Sequence, residues 1–410
     1  MDILTEPIAR GFDIFDVPPG YLDDPYPWLR QLRDDDPIHP NADGSVLLTR
    51  YADVRAVWRE PGTSVDKAEM FRERFGEGPL LAQHTTGMLF RDPPDHDRLR
   101  RIVHPFFTRA TMARFRAFLE ATVDQLIDDV AERGRFDLVT EFAEHIPAAM
   151  INRVLGVPAE DAQLLRRLGL QVLFPLNPRV PQEAIDAGHA AAGEFVDYLG
   201  EHLAEVRRRG VDGPPGSVLE ALVAAEADGA AITPDESVHM CLLVFNGGHE
   251  TTTNLISVGT YGLLQHPEEF ARLAELDDRA VNVAVEEINR YVSPLQLQGR
   301  RTTAGMDLPS GSLPAGTEVV LCQASANRDE REFADPDRLD LSRKPNAHLA
   351  FGLGVHTCIG NQLARLEARV VFPRLARRLR GLALDGDPIV NPNIRFRGLS
   401  SLPVRIGAVT

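Results

Sequence analysis

Phe351-Gly352-Leu353-Gly354-Val355-His356-Thr357-Cys358-Ile359-Gly360 places one cysteine in a glycine-punctuated loop, beside a histidine and just ahead of a helical pattern. Glycine admits backbone angles and close approaches that a side chain forbids, so the chain can wrap Cys358 and aim N–H groups at its sulfur. The helix that follows brings its positive dipole end to the same atom. Both effects favour a thiolate over a thiol. The plainer alternative is a tight turn around a structural cysteine.

A single thiolate held in this way suits an axial ligand to haem iron, where it pushes electron density outward and favours O–O cleavage. The ten residues fit F-G-x-G-x-H-x-C-x-G at every specified position, and on that motif the chain resembles the soluble bacterial members of the cytochrome P-450 family. The resemblance implies a mainly α fold with small β-sheets, a haem b cofactor ligated by Cys358, and O₂ as co-substrate.

Composition agrees with a large enzyme. The chain has 410 residues, 43% of them hydrophobic, with no linker, repeat or low-complexity stretch at which to cut it, so residues 1–410 read as a single domain. Cys241, Cys322 and Cys358 are too few and too scattered for a disulfide framework or a zinc site, which favours a reducing cytosol. The first residues, MDILTEPIARGFDIF, carry neither an apolar run nor a basic flank, so no signal peptide or membrane anchor is expected and the placement is cytoplasmic. A net charge of -16 argues against nucleic acid as a partner.

Along the chain, residues 45–49 read as a strand and a short helix begins near Ala52. From about Asp95 the pattern is helical, as in Leu119, Val123, Leu126, Ile127 and Val130. A long helix is predicted over about 236–265, short strands and turns follow Arg300, and a last long helix covers about 358–380.

Gly247-Gly248-His249-Glu250-Thr251-Thr252-Thr253 sits inside the long helical pattern. Two glycines cost a helix about 1 kcal/mol each relative to alanine, and hydroxyls that bond back to the backbone bend it further. Local widening is therefore predicted here, a feature that often marks a functional site; a kinked packing helix is the alternative. In the resembled family this segment crosses the haem, with an acid and an alcohol delivering protons. Glu250 and Thr251 fall on those positions, and a carboxylate with a hydroxyl or water can relay protons.

Glu287-Ile288-Asn289-Arg290 matches the family's E-x-x-R, with the two charges on one helix face. The resemblance makes Arg338, in Asp335-Pro336-Asp337-Arg338, the third member of a buried Glu-Arg-Arg cluster that fixes the segment leading into the cysteine loop. It also places His96 and Arg100 on one haem propionate, and His356 and Arg300 on the other, with Arg301 an alternative to Arg300. Two buried carboxylates need such cationic or donor partners. His348 matches a family position without an assigned contact.

The pocket regions implied by the resemblance are residues 80–90, 170–174, 243–246 and 294–298. Leu243, Asn246, Leu295 and Gln296 are the substrate-pocket candidates, with Asn246, Gln296 and Gln298 able either to orient a ligand or to bond backbone and water. Nothing in these residues selects a substrate. Six arginines, Arg365, Arg369, Arg374, Arg377, Arg378 and Arg380, face one acid, Glu367, in residues 361–381, with Arg98 and Arg101 possible additions to the same face. Such a patch on the thiolate side would steer an acidic ferredoxin.

The expected activity is haem-dependent monooxygenation of a small to medium hydrophobic molecule by a monomer. Electrons from NAD(P)H would arrive through a separate ferredoxin and ferredoxin reductase, since the length leaves no room for a fused reductase. An H₂O₂-driven peroxygenase and a non-catalytic haem gas sensor or carrier are the competing readings.

Overall fold

Thr233 starts the longest helix, Pro234–Leu264. Its hydroxyl accepts the Glu236 N–H at 3.1 Å while the Glu236 carboxylate accepts the Thr233 N–H at 3.0 Å, a reciprocal cap reinforced by proline at the first helical position. The helix is buried on nearly every side, because His145–Leu155, Gln182–Arg209, Asp278–Val292 and Asn361–Arg378 all pack against it. The coordinates, a computed structural model, describe residues 11–228 and 231–407. The first ten residues, on which the reading of an unanchored N-terminus partly rests, lie outside the described residues.

The helix passes unbroken through Gly247 and Gly248, so the predicted widening is not found. Packing explains one of the glycines. A Cβ on Gly248 would stand 2.6 Å from Ile151 Cδ1, so its absence lets the His145–Leu155 helix approach. Gly247 faces open space.

The largest sheet has five strands in the order Ile38–Pro40, Val46–Leu48, Glu318–Cys322, Leu297–Thr302, Thr63–Ser64. Val46–Leu48 pairs parallel with Glu318–Cys322, Val46 opposite Val319, and the remaining pairs are antiparallel. Alternation along Leu297–Thr302 buries Arg300 and exposes Arg301. Three small sheets complete a mainly α body. Among the described residues no helix is long and apolar enough to cross a membrane. The last long helix begins at Asn361, just past the cysteine loop, and ends at Arg378.

Candidate active site

The cysteine loop is a series of tight turns. Gly352 N–H bonds Leu349 O, Thr357 N–H bonds Gly354 O, and Cys358 N–H bonds Phe351 O, at 2.9–3.0 Å. Gly354 has φ +73°, and a Cβ there would lie 2.7 Å from the Trp58 carbonyl oxygen; strain and contact both demand glycine. The backbone N–H groups of Gly360 and Asn361 and the guanidinium groups of Arg100 and Arg365 favour the Cys358 thiolate, while burial, the larger effect, pushes its thiol up. A bound metal cation reverses that balance, since a coordinating thiol is deprotonated outright.

Beside the loop lies a nest of donors. The His96 and His356 rings are 4.1 Å apart. Arg100 donates to Thr357 O at 2.7 Å and Arg300 to Gly299 O at 2.8 Å. Burial holds His356 down at about 3, with the His96, Arg300 and Arg100 charges acting the same way and Asp92 opposing. Its buried Nε2 has no partner. Burial likewise lowers Arg300 to about 10. The acids near them are Asp92 and Asp97, the latter 2.9 Å from the His96 ring, and largely buried donors of this kind are unfavourable unless anions complete them. The residues therefore fit a haem: Cys358 for its iron, and His96, Arg100, Arg300 and His356 for its carboxylates.

Glu287 is fully buried and holds the preceding segment together. It pairs with Arg290 at 2.7 and 2.8 Å and accepts the Asp340 N–H and the Asn346 amide. The third member of this cluster is Arg343, whose Nε reaches both carboxylate oxygens at 3.0 and 3.1 Å. Arg338 was expected in that place; its side chain is exposed, and only its carbonyl accepts from Arg290 and Arg343. The turn after Asp340 carries the chain back over Glu287, and that brings in the later arginine. Arg290 also donates to Asn327 O and Pro336 O at 2.8 Å.

Sequence reasoning missed Glu286, the neighbour of Glu287. It accepts from Arg365 at 2.7 and 2.9 Å and lies 3.0 Å from His348, ionic and hydrogen-bonding partners that outweigh its burial and hold it near 2. His348 enters the cysteine loop and Arg365 leaves it, so Glu286 clamps both ends. An acid directly before the E-x-x-R glutamate was the only available signal.

On the long helix, Thr251 is partly exposed whereas Thr252 and Thr253 are buried. Its hydroxyl donates to Gly247 O at 3.1 Å, so it shares the open face with that glycine one turn earlier. Glu250 is buried, accepts the Asn254 amide at 3.1 Å, and burial raises it above the usual carboxylate range, with Glu144 adding to the rise and Arg166 opposing it. Behind them, Glu367 is fully buried with neither oxygen hydrogen-bonded, and burial raises it well above its ordinary value.

Leu243 packs against Gly87, Asn246 against Gly169, and Leu295 bridges to Phe396. Gln296 donates to the Val292 and Ser293 carbonyls, so its amide protons serve backbone. The arginine patch is largely spent. Arg374 and Arg378 pair with Glu120, Asp124 and Asp128 of the Arg109–Ala131 helix, Arg377 caps the Ala274 and Leu276 carbonyls, and Arg98 pairs with Glu236. What remains is a groove of about 450 Å³ with Arg109, Lys344 and Arg369 in its lining, where Arg365 is already paired with Glu286.

Comparison with known proteins bears on the family and the fold. A family profile, Cytochrome P450, matches residues 38–407. A vitamin D(3) 25-hydroxylase of Pseudonocardia autotrophica is 38% identical over 395 residues, covering 94% of this chain and 95% of that protein. The cytochrome P450 monooxygenase PikC of Streptomyces venezuelae is 37% identical over 93% of this chain and 91% of its own. The solved structure of an epothilone B-bound cytochrome P450epoK superposes with a TM-score of 0.87 at 32% identity, covering 97% of this chain and 99% of that one. With a family profile over residues 38–407, relatives 37–38% identical over more than nine-tenths of both chains and a shared fold, the chain belongs to the cytochrome P450 family of monooxygenases.

Proposed function

We propose that this chain, as one domain, binds haem b through Cys358 and inserts one atom of O₂ into a hydrophobic organic substrate. Electrons would come from NAD(P)H through a ferredoxin and its reductase. The observation that supports the reading is a glycine-turned loop that aims backbone N–H groups and two guanidinium groups at Cys358, beside a cluster of two histidines and two arginines in which the His356 Nε2 has no partner; one haem would answer both. The haem would supply dioxygen binding and the oxidising power for C–H cleavage.

The chain's own residues would supply position and protons. His96, Arg100, Arg300 and His356 fix the cofactor through its carboxylates. Glu250, raised by burial, keeps its proton closer to neutral pH than a solvated glutamate does and can pass it through water to the Thr251 hydroxyl on the open face. The Glu287, Arg290 and Arg343 cluster and the Glu286 clamp hold the loop that carries Cys358.

The groove of Arg109, Lys344, Arg365 and Arg369 lies beside the helix that leaves the cysteine loop, and its charge suits an acidic electron donor. The test is the reduced carbon monoxide spectrum together with NADH and O₂ consumption in the presence of a ferredoxin and its reductase. A thiolate-type Soret band with reductase-dependent O₂ uptake is expected. A histidine-type band, or turnover with H₂O₂ alone, would refute the reading.

A further inference from the structure

A second set of cations faces a cavity of about 420 Å³ between the Ala68–Phe75 helix, the Leu297–Thr302 strand and residues 394–395. Its walls are largely apolar, with Phe71, Leu176, Leu297 and Ile394 among them. It adjoins the cysteine loop, because Gln298 in its wall approaches within 3.8 Å of where a Gly352 Cβ would stand.

Four cationic side chains and two acids line this cavity: Lys67, Arg74, Arg179 and Arg395 against Asp13 and Asp43. Most of these charges are answered. Arg179 pairs with Asp16 at 2.9 Å and approaches Asp13 at 3.9 Å, Lys67 pairs with Glu318 at 3.1 Å, and Asp43 accepts from the Ser45 hydroxyl and N–H. Arg74 and Arg395 are not. Arg74 donates only to the Asn177 carbonyl, and among the described residues no carboxylate pairs with either guanidinium. The Arg395 Nε is buried and has no partner. Burial, with the Arg74 charge adding to it, lowers Arg395 to about 10.

Two guanidinium charges without a carboxylate partner at a largely apolar cavity are unfavourable. The planar guanidinium fork matches a carboxylate in two-point geometry. We propose that this cavity receives a substrate with an apolar body and a terminal carboxylate, which Arg395 and Arg74 hold at the end remote from the carbon to be oxidised. The assignment rests on the monooxygenase reading and narrows its substrate to organic acids.

The test uses the haem-loaded protein and matched probes: dodecanoate and 4-phenylbutyrate, the methyl ester of each, and dodecyl phosphate. Affinity is read from the ferric spin-state change and independently by calorimetry. At least one acid should bind about tenfold or more tightly than its ester, a difference of about 1.4 kcal/mol, and the preference should weaken with salt. Arg395→Met and Arg74→Met should each abolish it with haem content unchanged, and Arg395→Lys, which keeps the charge and loses the fork, should fall between. Failure of both acids to bind more tightly than their esters, a preference that survives both Met variants, or tighter binding of the phosphate overturns the proposal. So does haem loss in Arg395→Met, which would make Arg395 a partner of the cofactor. A thiolate-type carbon monoxide spectrum alongside any of these results leaves the monooxygenase reading intact, so the two failures are distinguishable.

Discussion

Arg343 Nε lies 3.0 and 3.1 Å from the two carboxylate oxygens of Glu287, which Arg290 also holds. The Glu287 side chain is wholly buried, and that of Arg343 is 10% exposed. Arg343→Ala therefore leaves a buried carboxylate short of a partner, at a cost of about 3–5 kcal/mol. Reduced haem loading and a lower melting temperature are expected. Arg338→Ala, at an exposed position, should change stability by less than about 0.5 kcal/mol. Equal damage from the two variants would contradict the cluster drawn here.

Cys358→Ala should abolish the thiolate-type band of the reduced carbon monoxide complex, while Cys241→Ala and Cys322→Ala retain it. Burial pushes the other two thiols up, Cys322 to about 12, and neither sits in a loop of glycines. A retained thiolate band in Cys358→Ala would move the ligand elsewhere.

These two sites show how far the sequence could be read. Cys358 was legible because its environment is local: glycines, a histidine and a helix start within ten residues. Helix positions were legible for the same reason, through periodicity. Arg343 was not, because its partner lies on a helix far back in sequence and the choice between arginines depends on how the turn after Asp340 folds. The arginines of residues 361–381 misled for a related reason. Their acids, Glu120, Asp124 and Asp128, come from another helix. Gly248 was read as a sign of local widening because sequence does not show that Ile151 packs against it.

Glu367 should make stability fall as pH rises. Burial raises its folded-state pKa well above the ordinary 4.5, so above that value the native state binds more protons than the unfolded chain, and unfolding free energy decreases with pH until the folded group itself ionises. Glu367→Gln removes this contribution. The variant's melting temperature relative to the parent should be higher at pH 8 than at pH 5. A pH-independent difference would mean that Glu367 ionises normally.

Arg365 is a poor probe of electron-donor docking, because it belongs to the Glu286 clamp. Arg109 and Lys344 are exposed and line the same groove. Arg109→Gln with Lys344→Gln should slow reduction by ferredoxin several-fold at low salt, converge on the parent rate at high salt, and leave substrate affinity unchanged. Unaltered reduction kinetics at low ionic strength would place docking elsewhere.

Thr251→Ala should bind substrate normally yet waste reducing equivalents. Of the threonines at 251, 252 and 253, only Thr251 is on the accessible face of the helix, above Gly247, whose carbonyl it now bonds. Neighbouring side chains point about 100° apart, so Thr252 and Thr253 cannot replace its hydroxyl. Glu250, raised by burial, is the adjacent proton source, and Glu250→Gln should slow turnover without the same leak, since the hydroxyl and its water remain. Positioned proton donors contribute about 10²–10⁴-fold to a rate; with water a partial substitute, product per NADH in Thr251→Ala should fall about tenfold and H₂O₂ rise in step. The measurement is product, H₂O₂ and NADH in one reaction. Unchanged coupling in Thr251→Ala, with a large loss in Thr252→Ala, would show that the working face of this helix is rotated by one residue from the one described.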